Sequence, residues 1–325
     1  MKKKLLSLLL GAAMVLSLAG CGSSETAATA ETATEENAAE AETAEEAEPA
    51  TEETATEAEE SGETKVLKVA MECGYAPYNW TQPDDSNGAV PINDSSDYAY
   101  GYDVMIAKKI ADALGYELQI VKLDWDSLVP AVQSGTVDCV IAGQSITSER
   151  LEMVDFSTPY YYASVVGLVK ADGPYAEAKG LSDLKGATCT SQLGTIWYDV
   201  CLPQIEDANV QPAQESAPAM LVALESDRTD LIVTDMPTAM AACVAYPDMK
   251  ILDFTGTEDD FAVSEEEINI GISVQKGNTE LLDGINSVLA GMTVEDFDSL
   301  TASDSVAKSL SITSDLSVDL IKQVF

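Results

Sequence analysis

Two charged residues are candidates for binding a small charged molecule. Arg150 is one of only two arginines in the 325-residue chain. A guanidinium is a planar fork of donors that pairs with a carboxylate through two parallel hydrogen bonds, and lysine cannot reproduce this geometry. Asp235 ends the apolar run "DLIVT", where burying a carboxylate costs free energy unless it has a partner. We therefore predict that Arg150 binds a carboxylate that does not belong to the protein.

Both residues also have a structural explanation that the sequence leaves open. Asp235 directly precedes "MPTAMAACVAY", so its side chain is also placed to cap a helix there. Arg150 has three acids close in sequence that are candidates for an internal ion pair, namely Glu149, Glu152 and Asp155.

The composition excludes several kinds of catalytic site. The chain has no histidine, which removes histidine-based triads, histidine general bases and nearly all histidine-containing metal sites. No constellation of a base and a nucleophile is visible, so we expect no enzymatic activity, no metal and no cofactor. Besides Cys21 there is an odd set of five cysteines, which we expect to be mostly free thiols: Cys73, Cys139, Cys189, Cys201 and Cys243.

The N-terminal region has the composition of a secretion signal followed by a tether. Residues 1–20, "MKKKLLSLLLGAAMVLSLAG", combine three lysines with an apolar run that is too short to span a bilayer. Residues 22–64 contain 15 glutamates, no basic residue and no aromatic residue, which predicts a disordered acidic tether over 21–64. The remaining chain carries a net charge of −27, so we expect no nucleic-acid partner.

Strand and helix patterns alternate from residue 65 onward. "KVLKVAME", "YELQIVKL" and "TVDCVIAG" are typical of strands, and "GYDVMIAKKIADALG" has the apolar spacing of a helix. This βαβαβ order predicts an α/β fold with parallel strands. The pattern recurs, because "LVPAVQSGTVDCVIAG" aligns with "MLVALESDRTDLIVTD". We therefore predict two similar α/β lobes, with lobe 1 over 65–166 plus 271–325, lobe 2 over 172–267, and hinge crossings at 167–171 and 268–270.

Ligands of such sheets bind beyond the carboxyl ends of the strands. The residues that follow the predicted strands are therefore candidates for a binding site in the cleft between the lobes: Glu72, Tyr75, Gly143, Ser145, Thr195 and Asp235.

A set of ordered motifs carries a family resemblance: "GYAPY", "GYDVMIAKKIADALG", "DWDSLVPAVQSGTVD", "IAGQSITSER", "VDFSTPYY", "LKGATCTSQLGT" and "DLIVTD". Over residues 65–292 the chain resembles the bacterial extracellular solute-binding proteins of polar-amino-acid ABC importers (family 3). The resemblance implies a periplasmic-binding-protein-like fold of type II, in which two hinged α/β lobes enclose the ligand. Met105, the long loop 81–100 and the tail after residue 292 depart from the family pattern.

The resemblance also implies roles for the groups that bind the ligand's charged ends. Arg150 would bind the α-carboxylate, with help from the Ser145 hydroxyl and from the hydroxyl and N–H of Thr195. Asp235 and the Gly143 carbonyl would bind the α-ammonium. Structural explanations remain for Ser145, Thr195 and Gly143, since a serine or threonine also caps a helix and a glycine also suits a turn.

Three more residues correspond to the family's pocket for the ligand side chain. Tyr75 and Trp125 match its two aromatic walls, although core packing would also explain them. Glu72 stands where relatives that bind cationic amino acids carry an acid, although it could instead pair with Lys68. The charged pocket residues sum to −1, so a cationic side chain would complete neutrality, which favours arginine, lysine or ornithine over glutamine or cystine.

These features together predict a monomeric, lipid-anchored binding protein for amino-acid transport. Leu18, Ala19, Gly20 and Cys21 resemble a lipobox, which implies a diacylglyceryl (palmitate-type) anchor on Cys21 at the extracytoplasmic face of the cell membrane. The implied partners are the permease and ATPase subunits of an ABC transporter. Two alternatives stay open, a dehydratase-like enzyme on the same scaffold and a sensory or adhesive lipoprotein.

Overall fold

The computed structural model describes residues 65–292. The predicted signal peptide, Cys21, the tether and the tail 293–325 lie outside the described residues. The strands and helices are β1 Val66–Met71, β2 Gly74–Tyr75, β3 Asn79–Gln82, β4 Val90–Pro91, β5 Tyr98–Tyr100, α1 Tyr102–Leu114, β6 Glu117–Lys122, α2 Leu128–Gln133, β7 Cys139–Val140, α3 Ser148–Met153, β8 Val154–Phe156, β9 Tyr161–Tyr162, β10 Val165–Lys170, β11 Thr188–Thr190, β12 Asn209–Val210, α4 Ala217–Glu225, β13 Leu231–Asp235, α5 Met236–Ala245, β14 Met249–Leu252, α6 Glu265–Ile268, β15 Asn269–Ile270, β16 Ser273–Gln275 and α7 Thr279–Ala290.

Two five-stranded sheets are built on one plan. The first has the order β6-β1-β7-β16-β8, and the second has the order β12-β11-β13-β10-β14. In each sheet the first three strands run parallel, and the last two add antiparallel pairings. The prediction of an α/β fold with two similar lobes is therefore confirmed.

One pair of aspartates shows how far the internal repeat extends. Asp138 accepts a hydrogen bond from Lys68 N (2.7 Å) and donates its own N–H to Lys68 O (3.0 Å). Asp230 makes the same two contacts with Thr188, at 3.2 and 2.7 Å. Each aspartate thus fixes the start of the strand that follows it against the neighbouring parallel strand, which explains why the aligned halves share an acid at this position.

Helix α1 supports the first sheet and ends where its sequence predicts. Val104, Ala107, Ile110 and Ala111 are fully buried, and the helix packs against β6 and α7. Gly115 follows in the left-handed conformation (φ 73°) and donates its N–H to carbonyls of the last turn, as a C-terminal glycine cap does.

The chain passes between the sheets at an antiparallel pair formed by β9 and β15. Tyr162 is paired with Asn269, and Tyr161 with Ile270. Strand β10 overlaps the predicted crossing 167–171 and is hydrogen-bonded to β13 and β14 inside the second sheet. The lobe boundaries drawn from the sequence stay a prediction.

The long loop 81–100 belongs to a small antiparallel sheet of order β2-β3-β5-β4.

The five cysteines of the described residues are free thiols, and burial raises the pKa of Cys73 and Cys201 to about 12. A thiol with so high a pKa is a poor nucleophile. Among residues 65–292, no helix is long and apolar enough to cross a membrane.

Candidate ligand-binding site

A small cavity lies where turns from the two sheets meet. Its turns follow β1, β7 and β11, three strands of the parallel parts of the sheets, as expected for α/β folds. Six of the eight predicted residues line it, together with Gln192 and Trp197: Tyr75, Trp125, Gly143, Ser145, Arg150 and Thr195. The cavity of about 10 Å³ has room for roughly one water molecule. A groove of about 530 Å³ adjoins it and shares Trp125, Arg150 and Thr195.

Arg150 is held at the cavity by its own helix and by two backbone carbonyls. Thr147 caps α3 by accepting the Arg150 N–H at 3.3 Å. The guanidinium donates from Nη1 to Ser145 O (2.8 Å) and from Nη2 to Gly194 O (2.9 Å). It also lies over the ring of Trp125, 5.5 Å from the centroid, which is within the range of a cation–π contact.

No carboxylate of residues 65–292 forms an ion pair with Arg150 within 4.0 Å. The alternative of an internal ion pair with a neighbouring acid is therefore wrong for the described part of the chain; Asp155, for example, faces Lys276 at 3.8 Å. Burial lowers the pKa of Arg150 to about 10, although Glu149 and Asp199 act in the opposite direction. The guanidinium thus lies at the cavity with its charge only weakly compensated.

Asp235 ends β13 and caps α5, so the capping explanation is correct. Its Oδ1 accepts the Thr238 N–H (2.9 Å) and its Oδ2 accepts the Thr238 hydroxyl (3.0 Å). The same carboxylate also accepts hydrogen bonds from the hydroxyls of Tyr75, in β2, and Tyr78, between β2 and β3. Asp235 is fully buried, and burial raises its pKa although these hydrogen bonds act against the shift. It does not line the cavity but is bonded directly to Tyr75, which does.

Glu72 is related to the cavity in the same indirect way. Its carboxylate accepts a hydrogen bond from the side-chain amide of Gln192 at 3.2 Å, and both side chains are buried. Burial raises the pKa of Glu72, and Asp124 adds to the shift while Gln192 and Lys122 oppose it. No ion pair between Glu72 and Lys68 occurs within 4.0 Å in the described region.

Close packing at Tyr75 explains why a glycine stands at position 143. The Tyr75 ring stacks on Tyr78, with centroids 4.8 Å apart and planes at 19°. A Cβ on Gly143 would lie 2.8 Å from Cε1 of Tyr75, and Gly143 has a φ of +66°. Glycine meets both demands, because it adopts positive φ at no steric cost and leaves room for the ring.

Comparison with known proteins decides the family. The model of the bacterial extracellular solute-binding proteins, family 3, matches residues 67–301, most of the chain. This chain belongs to that family.

Individual relatives of this solute-binding protein are about 30% identical to it over the aligned residues. It is 30% identical over 190 residues to a probable histidine-binding protein of Campylobacter jejuni, covering 58% of this chain and 68% of that one. It is 29% identical to the L-cystine-binding protein TcyJ of Escherichia coli K12, covering 71% and 78%. Among solved structures, an ancestral arginine-binding protein bound to arginine is 32% identical with a TM-score of 0.58, covering 73% and 96%.

The sequence did not point to two cavity residues of this solute-binding protein, Gln192 and Trp197, or to Tyr78, which is bonded to Asp235. Gln192 lies two residues beyond β11, so the rule on strand ends could have selected it together with Thr195. Trp197 opens a π-helical turn, which the regular helical pattern did not predict. The role of Tyr78 follows from its bond to Asp235, which depends on packing across the cleft.

Thr195 and Ser145 line the cavity, and each already uses some of its polar groups in hydrogen bonds within the protein. The Thr195 hydroxyl donates to Gln192 O (2.7 Å), and the Thr195 carbonyl accepts from Tyr198 and Asp199 N–H at 3.2 and 3.0 Å. Ser145 contributes its carbonyl to Arg150 and pairs with Ile270 in an isolated bridge. The binding roles of the eight predicted residues stay predictions.

Proposed function

We propose that this solute-binding protein binds a free amino acid between its lobes and delivers it to the permease of an ABC importer. The observation that carries the proposal is the guanidinium of Arg150, which lines the cavity without a carboxylate partner in residues 65–292. A ligand carboxylate would supply the missing charge through two parallel hydrogen bonds. Relatives that are named as binding histidine, cystine and arginine support an amino acid as the ligand.

The two ends of the amino acid would replace contacts that the protein now makes with itself. The α-carboxylate takes the Arg150 donor that reaches Gly194 O, and the Thr195 N–H and Ser145 hydroxyl add to it. The α-ammonium takes the place of the Tyr75 hydroxyl at Asp235. Because the cavity holds about one water molecule, at roughly 10 Å³, the lobes must separate to admit the ligand. Closure then follows from a higher affinity of the ligand for the closed form.

The charges around the cavity favour a cationic amino acid, namely arginine, lysine or ornithine. The cavity wall carries one guanidinium, and two buried carboxylates, Glu72 and Asp235, are hydrogen-bonded to other residues of that wall. Burial raises the pKa of both acids. A zwitterion adds no net charge, whereas a cationic side chain near Glu72 would offset the excess negative charge. A polar neutral amino acid such as glutamine or cystine is the alternative ligand within the same function.

The proposal includes attachment to the membrane through a lipid on Cys21. The Leu-Ala-Gly-Cys sequence at 18–21 and the acidic stretch to residue 64 support it. Two or more acyl chains give stable anchoring where one chain is marginal. The folded protein would then act as a monomer at the extracytoplasmic face, beside the permease and ATPase subunits.

The test is a thermal-shift screen of the mature chain with the twenty amino acids, ornithine, citrulline and cystine, followed by calorimetry. At least one of these compounds should raise the melting temperature strongly. Arg150→Lys should abolish the largest shift, because a lysine cannot form the bidentate contact. Arg228→Lys is the matched control, since the exposed side chain of Arg228, the other arginine, donates to the Ser226 hydroxyl at 3.1 Å and does not line the cavity. No shift with any compound, or an unchanged shift in Arg150→Lys, would contradict the proposal.

A further inference from the structure

Asp103 is a fully buried carboxylate that does not line the cavity, yet it is hydrogen-bonded to two side chains that in turn contact turns of the cavity. It belongs to the first turn of α1. Its Oδ1 accepts the hydroxyl of Tyr160 at 2.7 Å, and its Oδ2 accepts the side-chain amide of Asn79 at 2.7 Å. No ion pair involves Asp103 within the described region. Its acceptor capacity is therefore directed to these two side chains.

Each of the two side chains passes the connection on to a turn of the binding site. Asn79 Oδ1 accepts the backbone N–H of Cys73 at 2.7 Å. The Tyr160 hydroxyl accepts the backbone N–H of Gly143 at 3.1 Å. Cys73 and Gly143 both have positive φ, 54° and 66°, a conformation that needs support at a non-glycine residue such as Cys73.

The turns held in this way carry four of the predicted ligand-binding residues. Cys73 lies between Glu72 and Tyr75, and Gly143 is itself in the cavity wall, two residues before Ser145. A shift of either turn would therefore move groups at the cavity, although Asp103 touches none of these side chains.

Backbone contacts at the start of α1 reinforce the arrangement. The N–H groups of Tyr102 and Asp103 donate to Pro77 O (3.2 Å) and Tyr78 O (2.8 Å), and the Tyr102 hydroxyl donates to Tyr160 O (3.0 Å). This approach requires glycine at position 101, where φ is +129° and a Cβ would lie 2.3 Å from Tyr78 O. The first turn of α1 is thus fixed to the β2–β3 region and to the segment entering β9.

We propose that Asp103 is a positioning residue for the amino-acid site: it sets the turn at Cys73 through Asn79 and the turn at Gly143 through Tyr160. The inference rests on the proposed function, since it assigns the alignment of that same site to one buried carboxylate. Such a residue acts on affinity through preorganisation, because ordering the turns in advance lowers the cost of binding.

The hydrogen-bond inventory explains why a carboxylate is needed at position 103. An ionised carboxylate accepts both neighbouring donors, whereas an asparagine would offer one acceptor and one donor. In Asp103→Asn, one buried group loses its match whichever way the new amide lies. If the amide oxygen keeps the Tyr160 hydroxyl, the Asn79 amide must turn to accept the new donor, and the Asn79 NH₂ group then faces the Cys73 N–H. If the amide is reversed, the proton of the Tyr160 hydroxyl loses its acceptor. The exchange Asn79→Asp with Asp103→Asn restores every donor–acceptor match, because the carboxylate then at position 79 accepts from the Cys73 N–H and from the amide then at position 103.

The experiment measures L-arginine affinity by calorimetry, using the mature chain, for the wild type, Asp103→Asn, the exchanged pair and Tyr160→Phe. Leaving a buried donor unmatched is costly, so Asp103→Asn should weaken binding by about tenfold or more. The exchanged pair should recover most of that loss, and Tyr160→Phe, which cuts only the Gly143 branch, should give an intermediate loss. Thr229→Val is the control, since it removes buried hydrogen bonds to Thr188 O and Leu231 O in the second sheet, away from the cavity.

Hydrogen exchange of peptides that contain Cys73 and Gly143 gives a readout independent of any ligand. Exchange should accelerate in Asp103→Asn at both turns and return to wild-type rates in the exchanged pair. Thr229→Val should lower stability and leave the affinity unchanged. The same result in Asp103→Asn would overturn the inference, as would failure of the exchanged pair to restore binding. If Asp103→Asn does not fold, the exchanged pair and Tyr160→Phe decide, because wild-type affinity in Tyr160→Phe also overturns it. A wild type that binds no amino acid would contradict the proposed function alone, and the exchange rates would still test the role of Asp103.

Discussion

The hydroxyl of Tyr75 donates a hydrogen bond to the carboxylate of Asp235 and so joins the turn after β1 to the end of β13. Two further bonds connect the same sides of the cleft: Gln192 to Glu72 at 3.2 Å and Arg150 to Gly194 O at 2.9 Å. Each of these bonds uses a side chain predicted to bind the ligand. If these side chains bind the ligand as proposed, the ligand displaces internal contacts, and the measured affinity is what remains after they are lost.

Tyr75→Phe should strengthen the binding of an amino acid by several-fold. The variant keeps the ring at the cavity but removes the hydroxyl that competes with the ligand ammonium for Asp235. A hydrogen bond to a charged group is worth about 1.5–3 kcal/mol, so its loss from the unliganded form alone is measurable. Calorimetry with Tyr198→Phe as control checks this, since that variant removes a tyrosine bond to Gln211 O outside the cavity lining. A large loss of affinity in Tyr75→Phe would contradict this prediction and show that the hydroxyl stabilises the complex with the ligand.

Glu72→Gln should lower the preference for arginine over citrulline by about tenfold or more. The two ligands have nearly the same shape, and only arginine carries a positive side chain that a carboxylate near Gln192 would attract. Competition binding with both ligands gives the ratio directly. Asp124→Asn is the control, because it removes a nearby negative charge that raises the pKa of Glu72, and Asp124 does not line the cavity. Equal losses for arginine and citrulline would rule out a role of Glu72 in charge selection.

Arginine binding at mildly acidic pH should release protons. Burial raises the pKa of Glu72 and Asp235 in the unliganded protein, and a bound cation would lower both values by favouring the charged forms. Affinity should therefore rise as pH increases through the raised pKa values. Calorimetry in two buffers of different ionisation enthalpy measures the released protons. Proton uptake, or affinity that falls with increasing pH in this range, would contradict the assignment of these two acids to the site.

Asp103 should make the unliganded protein more stable at mildly acidic pH than at neutral pH. Burial is the main cause that raises its pKa to about 6, and the charge of Asp235 adds to the shift, whereas the value in an unfolded chain is about 3.9. Because the folded state holds this proton more tightly, the stabilisation is complete below about pH 4 and is lost as pH rises through about 6. The loss amounts to roughly 3 kcal/mol between these limits.

Urea unfolding at pH 5 and pH 7.5, with and without the change Asp103→Asn, measures this contribution. The variant should show a smaller difference between the two pH values than the wild type, because asparagine does not titrate. An identical difference in both proteins would mean that Asp103 does not titrate as described.

The sequence by itself determined the α/β fold, the internal repeat and most of the cavity wall. Strand and helix periodicity is local, and the rule that ligands bind beyond parallel strands needs only strand order, so Tyr75, Ser145 and Thr195 could be selected without a structure. The scarcity of arginine left Arg150 and Arg228 as candidates, and the family resemblance of the motif "IAGQSITSER" selected Arg150.

Only the tertiary structure decided which side chains are partners. Asp235 meets Tyr75 across 160 residues of sequence, Glu72 meets Gln192 across 120, and Asp103 meets Tyr160 across 57. The first two bonds depend on where two separately built sheets come together, and the third depends on how α1 packs against the segment before β9. Both arrangements are set by the sum of many weak packing contacts and not by any local pattern. For that reason the sequence could indicate that Asp235 needs a partner, while only packing shows that tyrosines hold it and that Asp103 holds the turn on which one of them lies.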